Sequence, residues 1–216
     1  MNPSHWHPTI DVSIAGDCAR DQGIDIGTAL QTQIAAAERS LLEFETFRLQ
    51  QPWWMPYSVF QYMAQWRARS LMEPKIAEAF PYMRERIAGM AEGARTSVDF
   101  LYLFHAMESV STSSAINQPA IAACTALAAT GHRTEDHQPL VAHNFDLVSS
   151  ASPLLTLREN CSRGGLRFLA MSLAPMAGVI DGINEAGLAI TYNYAPTTDF
   201  CDAGPPISFS IDDFQL

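Results

Sequence analysis

The texture of the chain changes near Ala120, and that change limits the folds open to it. Before it the sequence carries helix-period apolar patterns; after it come short apolar runs separated by polar turns. The pattern predicts an α+β protein. Helical windows cover 28–49, with Leu30, Ile34, Leu41, Leu42 and Phe47, then 58–71, 75–93 and 97–109. Gln51 to Pro56 breaks the first, and Pro81 starts or kinks the third. A short strand is expected near Thr9–Ile14, and 111–119 reads as a loop. Strands are expected at 121–128, 139–145, 166–172, 177–181, 187–194 and 206–212. Their close spacing and polar turns point to antiparallel pairing.

Cys124 lies at this boundary. The stretch Ala123-Cys124-Thr125-Ala126-Leu127-Ala128-Ala129 opens a small-residue strand on the thiol. After a polar turn, Leu140-Val141-Ala142-His143-Asn144-Phe145-Asp146 returns and ends in Asn-x-Asp. One reading is an ordinary buried cysteine on a hairpin, since free cysteine is among the most buried residue types. The other is a nucleophile. A free thiol has a pKa near about 8.5 and needs a base at neutral pH. An α-amine on the same residue titrates near about 7.7–8.0 and would sit beside the sulfur. A neighbouring carboxylate, here Asp146, can orient that amine and favour its charged form. Asn144 can hold the strand end or a substrate.

A second segment, Val179-Ile180-Asp181-Gly182-Ile183-Asn184-Glu185-Ala186-Gly187-Leu188-Ala189-Ile190-Thr191-Tyr192-Asn193-Tyr194, reads as strand, turn, strand. Asn184 and Gly187 suit a turn with positive φ. Together the two segments resemble the cholylglycine hydrolase and penicillin V acylase group of N-terminal nucleophile (Ntn) hydrolases. The likeness is closer to the autoproteolytic acyltransferase relatives, such as isopenicillin N acyltransferase, with acid ceramidase further off. The resemblance covers about residues 90–200, and Asp-Gly-Ile-Asn-Glu-Ala-Gly-Leu is its most specific part.

The resemblance implies a four-layer αββα sandwich. Residues 1–123 would form a mainly helical pro-segment or small subunit, and 124–216 the start of the catalytic large subunit. It implies self-cleavage before Cys124, with Cys124 as nucleophile and new N-terminus, Asp146 orienting its amine and Asn193 helping to form the oxyanion hole. His143 stands where relatives carry Arg or Gln, a substrate-facing or supporting position, and Ala123 replaces the usual Gly. The expected substrate is a small N-acyl amide, hydrolysed or transferred across a linear amide bond, with no metal and no organic cofactor. The cleaved fragment would stay as a heterodimer partner. Relatives run further past the equivalent of Leu216, so the catalytic half is expected to be incomplete at its C-terminal end. The alternative is a truncated or inactive member that acts only as a binding or structural protein.

Composition narrows the partners. A net charge of −10 and a single lysine, Lys75, speak against nucleic acid. No basic cluster points to an anionic membrane surface, so no membrane partner is expected. The first residues show no basic start and no apolar signal segment, and a cytoplasmic location follows as the expectation. Cys18, Cys124, Cys161 and Cys201 have no zinc-type spacing, and the three outside the hairpin are expected as free thiols. Trp6, Trp53, Trp54 and Trp66 read first as core or interface anchors and second as the lining of an acyl pocket. Arg158, Arg163 and Arg167, spread over ten residues, read first as surface charges and second as receivers of an anionic group.

Overall fold

In the computed structural model the described residues are 9–43, 45–115, 124–146, 149–161, 165–193, 206 and 208–209. They form an α+β protein, as the change of texture predicts. The chain opens with β1 (Val12–Ile14) and continues through α1 (Ala19–Ala29), α2 (Gln31–Glu43), the short α3 (Glu45–Arg48), α4 (Tyr57–Ala79), α5 (Pro81–Ala94) and α6 (Val98–Ala115). The strands β2 (Cys124–Ala129), β3 (Leu140–Phe145), β4 (Leu155–Asn160), β5 (Phe168–Leu173), β6 (Asp181–Asn184) and β7 (Ala189–Thr191) follow.

Helix boundaries differ from the sequence expectation in instructive ways. The first window, 28–49, holds α2 and the short α3, while α1 precedes it as a helix the sequence reading did not expect and closes at Leu30, whose backbone N–H donates to Ile26 O (3.0 Å). α4 runs through Pro74 and ends at Phe80, so the break falls later than expected. Pro81 then opens α5, where a proline's missing N–H costs nothing. Of the expected strand at 206–212, Ser208 and Phe209 lie in a helical turn, and 207 and 210–212 fall outside the described residues.

Two sheets form. The larger has the order β1-β4-β5-β6-β7, with β1 parallel to β4 and the other pairs antiparallel. The smaller is the β2–β3 hairpin. Val12 and Ile14 on β1 join the main core with Ile26, Ile34, Ile87, Met90 and Phe100 from the helices, so the helices cover one face of the larger sheet. Met171, on the opposite face, and Phe145 of β3 both pack against the cluster of Leu173, Met176 and Ile180. Helices, five-stranded sheet and hairpin are therefore stacked in that order.

The α1–α5 crossing is the closest contact among the helices. Gly23 and Gly27 on α1 face Gly89 and Gly93 on α5. A Cβ at Gly23 would lie 2.1 Å from Arg86 O, at Gly27 2.3 Å from Met90 O, at Gly89 2.0 Å from Arg20 O and at Gly93 2.4 Å from Ile24 O. Only hydrogen fits at these positions, so the two backbones touch directly.

The helix-facing side of β4 is polar. Thr156, Arg158 and Asn160 are buried there. Arg158 is thus not the surface charge its spacing implied. Its guanidinium donates to the carbonyls of Leu173 (2.7 Å), Met176 (2.8 Å) and Ala174 (3.3 Å) and ties down the turn after β5. Arg167 is exposed and pairs with Glu159 (3.0 Å).

His105 on α6 is fully buried; its Nε2 accepts the Ala177 N–H at 3.3 Å and its ring lies edge-on to Phe209. Burial, aided by Arg158, pushes its pKa down to about 3. Above the unfolded pKa of about 6.5 both states are neutral, so stability is unaffected. As pH falls below 6.5 the unfolded chain takes up the proton first, so stability declines by up to about 1.4 kcal/mol per pH unit until about pH 3. Urea unfolding of wild type and His105→Gln from pH 8 to pH 4 checks this. The difference in stability between the two should shift against wild type by about 2 kcal/mol from pH 6.5 to pH 5. A pH-independent difference would show that His105 takes up its proton as readily in the folded state as in the unfolded chain.

Candidate active site

The hairpin sets the geometry. Cys124 pairs with Phe145, Thr125 with Asn144 and Ala126 with His143. Directly paired residues share a sheet face, and the side-chain period is two. Cys124, Ala126, His143 and Phe145 therefore project from one face, and Thr125 and Asn144 from the other. Phe145 packs on the cluster of Leu173, Met176 and Ile180, so the Cys124 face is the one turned toward the larger sheet. Cys124 is half-buried and carries a free thiol. Cys18 and Cys161 are also free and are exposed, and Cys201 lies outside the described residues.

Asp146 follows Phe145 and so lies one residue past the partner of Cys124. Its Oδ1 accepts a hydrogen bond from Asn144 Nδ2 at 2.9 Å. Both side chains are exposed. Asn144 thus holds the carboxylate at the strand end, beside the first residue of β2.

His143 crosses between the sheets. Its side chain is 4% exposed, and its Nδ1 lies 2.7 Å from Asp181 Oδ1. The contact has ion-pair distance without hydrogen-bond alignment, and both ring nitrogens are buried without a hydrogen bond among the described residues. Asp181 starts β6 and pairs with Met171, which packs on the same apolar cluster as Phe145. The sequence reading named His143 but not Asp181. The available signal was that Asp181 is the first residue of the Asp-Gly-Ile-Asn run.

That run builds the β6–β7 turn. The Asn184 and Leu188 backbones bond (3.0 Å), Asn184 Oδ1 accepts the Leu188 N–H (3.0 Å), and Gly187 N–H donates to Asn184 O (3.0 Å). Gly187 has φ +83°, as the turn reading predicts, whereas Asn184 ends β6 without a positive φ. β7 leads to Tyr192, which packs on the same cluster as Phe145, and then to Asn193, which is exposed. The ends of β3 and β7 that carry Asp146 and Asn193 thus converge on one apolar cluster.

A groove lined by Arg69, Glu73, Arg84 and Tyr102 lies within the helical layer, away from the hairpin. Arg69 and Arg84 both pair with Glu73, so its polar lining satisfies itself. Trp53, Trp54 and Trp66 are exposed and none belongs to the core. His132 and His137 are exposed as well.

Among curated proteins, none matches the chain. Residues 132–210 match the family described as Acyl-coenzyme A:6-aminopenicillanic acid acyl-transferase. The matched span holds β3 with its Asn-x-Asp end, the His143–Asp181 contact and the Asp-Gly-x-Asn-Glu-x-Gly-Leu turn. That match, over residues 132–210, supports the resemblance to the acyltransferase-like group of Ntn hydrolases.

Proposed function

We propose that the protein is a self-processing cysteine Ntn enzyme that hydrolyses or transfers the acyl group of a small N-acyl amide. One observation carries the reading. A half-buried free thiol starts β2 directly opposite Phe145, and the next residue is a carboxylate held by Asn144.

In the first step Cys124 Sγ attacks the carbonyl of Ala123. The amide nitrogen of Cys124 leaves as an amine, taking a proton, and water hydrolyses the resulting thioester. In turnover the freed amine accepts the thiol proton, and Asp146 stabilises the ammonium so formed. The thiolate attacks the substrate carbonyl, and Asn193 donates to the developing oxyanion. The ammonium returns its proton to the leaving amine, and the acyl group passes to water or to another amine. His143 supports the substrate side of this face, braced by Asp181.

Intact-mass analysis with N-terminal sequencing tests the scheme. Wild type should yield two fragments, the second beginning Cys-Thr-Ala-Leu. Cys124→Ala should remain one species. Cleavage at another bond, or cleavage that survives Cys124→Ala, would remove the mechanism.

A further inference from the structure

α4 departs from the usual amphipathic helix. Its first half is apolar on the buried side, through Phe60, Ala64 and Ala68, which pack against Phe47 and Leu103. It is also apolar on the opposite side. At 3.6 residues per turn, Val59, Tyr62, Met63 and Trp66 fall within about 100° of arc facing away from Ala68. They are 44%, 68%, 47% and 52% exposed. The loop entering the helix adds Trp53, 96% exposed, and Trp54, 65% exposed. A helix apolar all round is ordinarily buried all round. Here one side has no cover among the described residues.

Charge indicates what covers it. The chain carries −10, yet no Asp or Glu occurs from Thr46 to Met72, where the only charges are Arg48, Arg67 and Arg69. Docking this face on an apolar phase would desolvate no carboxylate on this segment. Arg48, whose guanidinium lies over the Tyr57 ring, and Arg67 belong to the same segment, and their charge is of the sign that phosphate groups attract. Exposed tryptophan and tyrosine beside arginine is the chemistry of a helix lying in a bilayer interface. A second copy of the chain is a poorer occupant, because two chains of −10 each repel. Among the described residues no helix is long and apolar enough to cross a membrane, so the contact is in-plane.

We propose that the solvent side of α4, with Trp53 and Trp54, docks on a zwitterionic phospholipid bilayer. This departs from the sequence expectation of no membrane partner, which rested on the absence of a basic cluster. The full chain should float with phosphatidylcholine vesicles in a density gradient. The Trp53→Ser/Trp54→Ser/Trp66→Ser variant should lose at least about a hundredfold in partitioning, since each exposed ring contributes roughly a factor of ten when buried. Leu127→Ser, which removes an exposed leucine from the hairpin, should partition as wild type. Brominated phosphatidylcholine should also quench tryptophan emission of the unaltered chain, a readout that needs no variant. Absence of flotation, flotation retained by a folded triple variant, unquenched emission in the floated protein, or equal loss in Leu127→Ser each overturns the proposal. So does a dimer in sedimentation velocity that the triple variant abolishes while wild type ignores vesicles.

Discussion

Gly89→Ala lowers the urea midpoint of unfolding by the equivalent of at least about 2 kcal/mol. Two effects compete at this position. Alanine is the better helix former by about 1 kcal/mol, which favours the variant. Against this, the new Cβ would lie 2.0 Å from Arg20 O, a backbone atom that cannot swing aside. The helices must part, and the core residues Ile26, Ile87 and Met90 lose contacts when they do. Overpacking of this kind costs typically 1–3 kcal/mol and more when backbone must shift, roughly, so the clash outweighs the propensity gain. Gly187→Ala is the contrast. Nothing lies within 4 Å of its Cβ position, and only its φ of +83° opposes the change, at about 1 kcal/mol. A Gly89→Ala protein as stable as wild type would mean that α1 and α5 lie further apart than described.

Asp146→Asn slows acylation of the processed enzyme by about 10²- to 10⁴-fold and leaves stability within about 0.5 kcal/mol. The substitution keeps the shape of the side chain and an oxygen that can accept from Asn144, so the strand end holds. In the proposed scheme it removes the negative charge that stabilises the ammonium formed when the amine takes the thiol proton. Loss of an orienting carboxylate in a catalytic array has effects of this order. Single-turnover acylation beside urea unfolding separates the two roles. Near-normal acylation with lost stability would make Asp146 a purely structural residue.

The parts of the fold that sequence made legible are those set by local pattern. β2 and β3 form within a few residues of expectation because their pairing is a hairpin with the turn between them. β4 was missed because its buried face is Thr156, Arg158 and Asn160, while Leu155 and Leu157 look outward from the helical core. Hydrophobic periodicity reads such a strand with its faces reversed. The same strand hid Arg158, whose carbonyl partners lie on the turn after β5. The placement of Cys124, Asn144 and Asp146 near one strand end follows from hairpin register alone. The His143–Asp181 contact does not, because it exists only where two sheets meet. The tryptophans were read as core or interface anchors by residue type, and type alone does not tell which face of a helix lacks a partner.

β1 holds a consequence for how the protein is made. Its parallel partner is β4, and the Leu157 N–H bonds the Asp11 carboxylate across 146 residues of chain. β1 can therefore pair with β4 only after all of the helices between them have been synthesised. Until then Val12 and Ile14 have helical neighbours but no backbone partner, and an unpaired strand of this kind invites intermolecular pairing. Contacts so distant in sequence also slow folding, since the long loop must close before it is rewarded. The helices between them, with α1 locked on α5, are made first and can shelter the waiting strand.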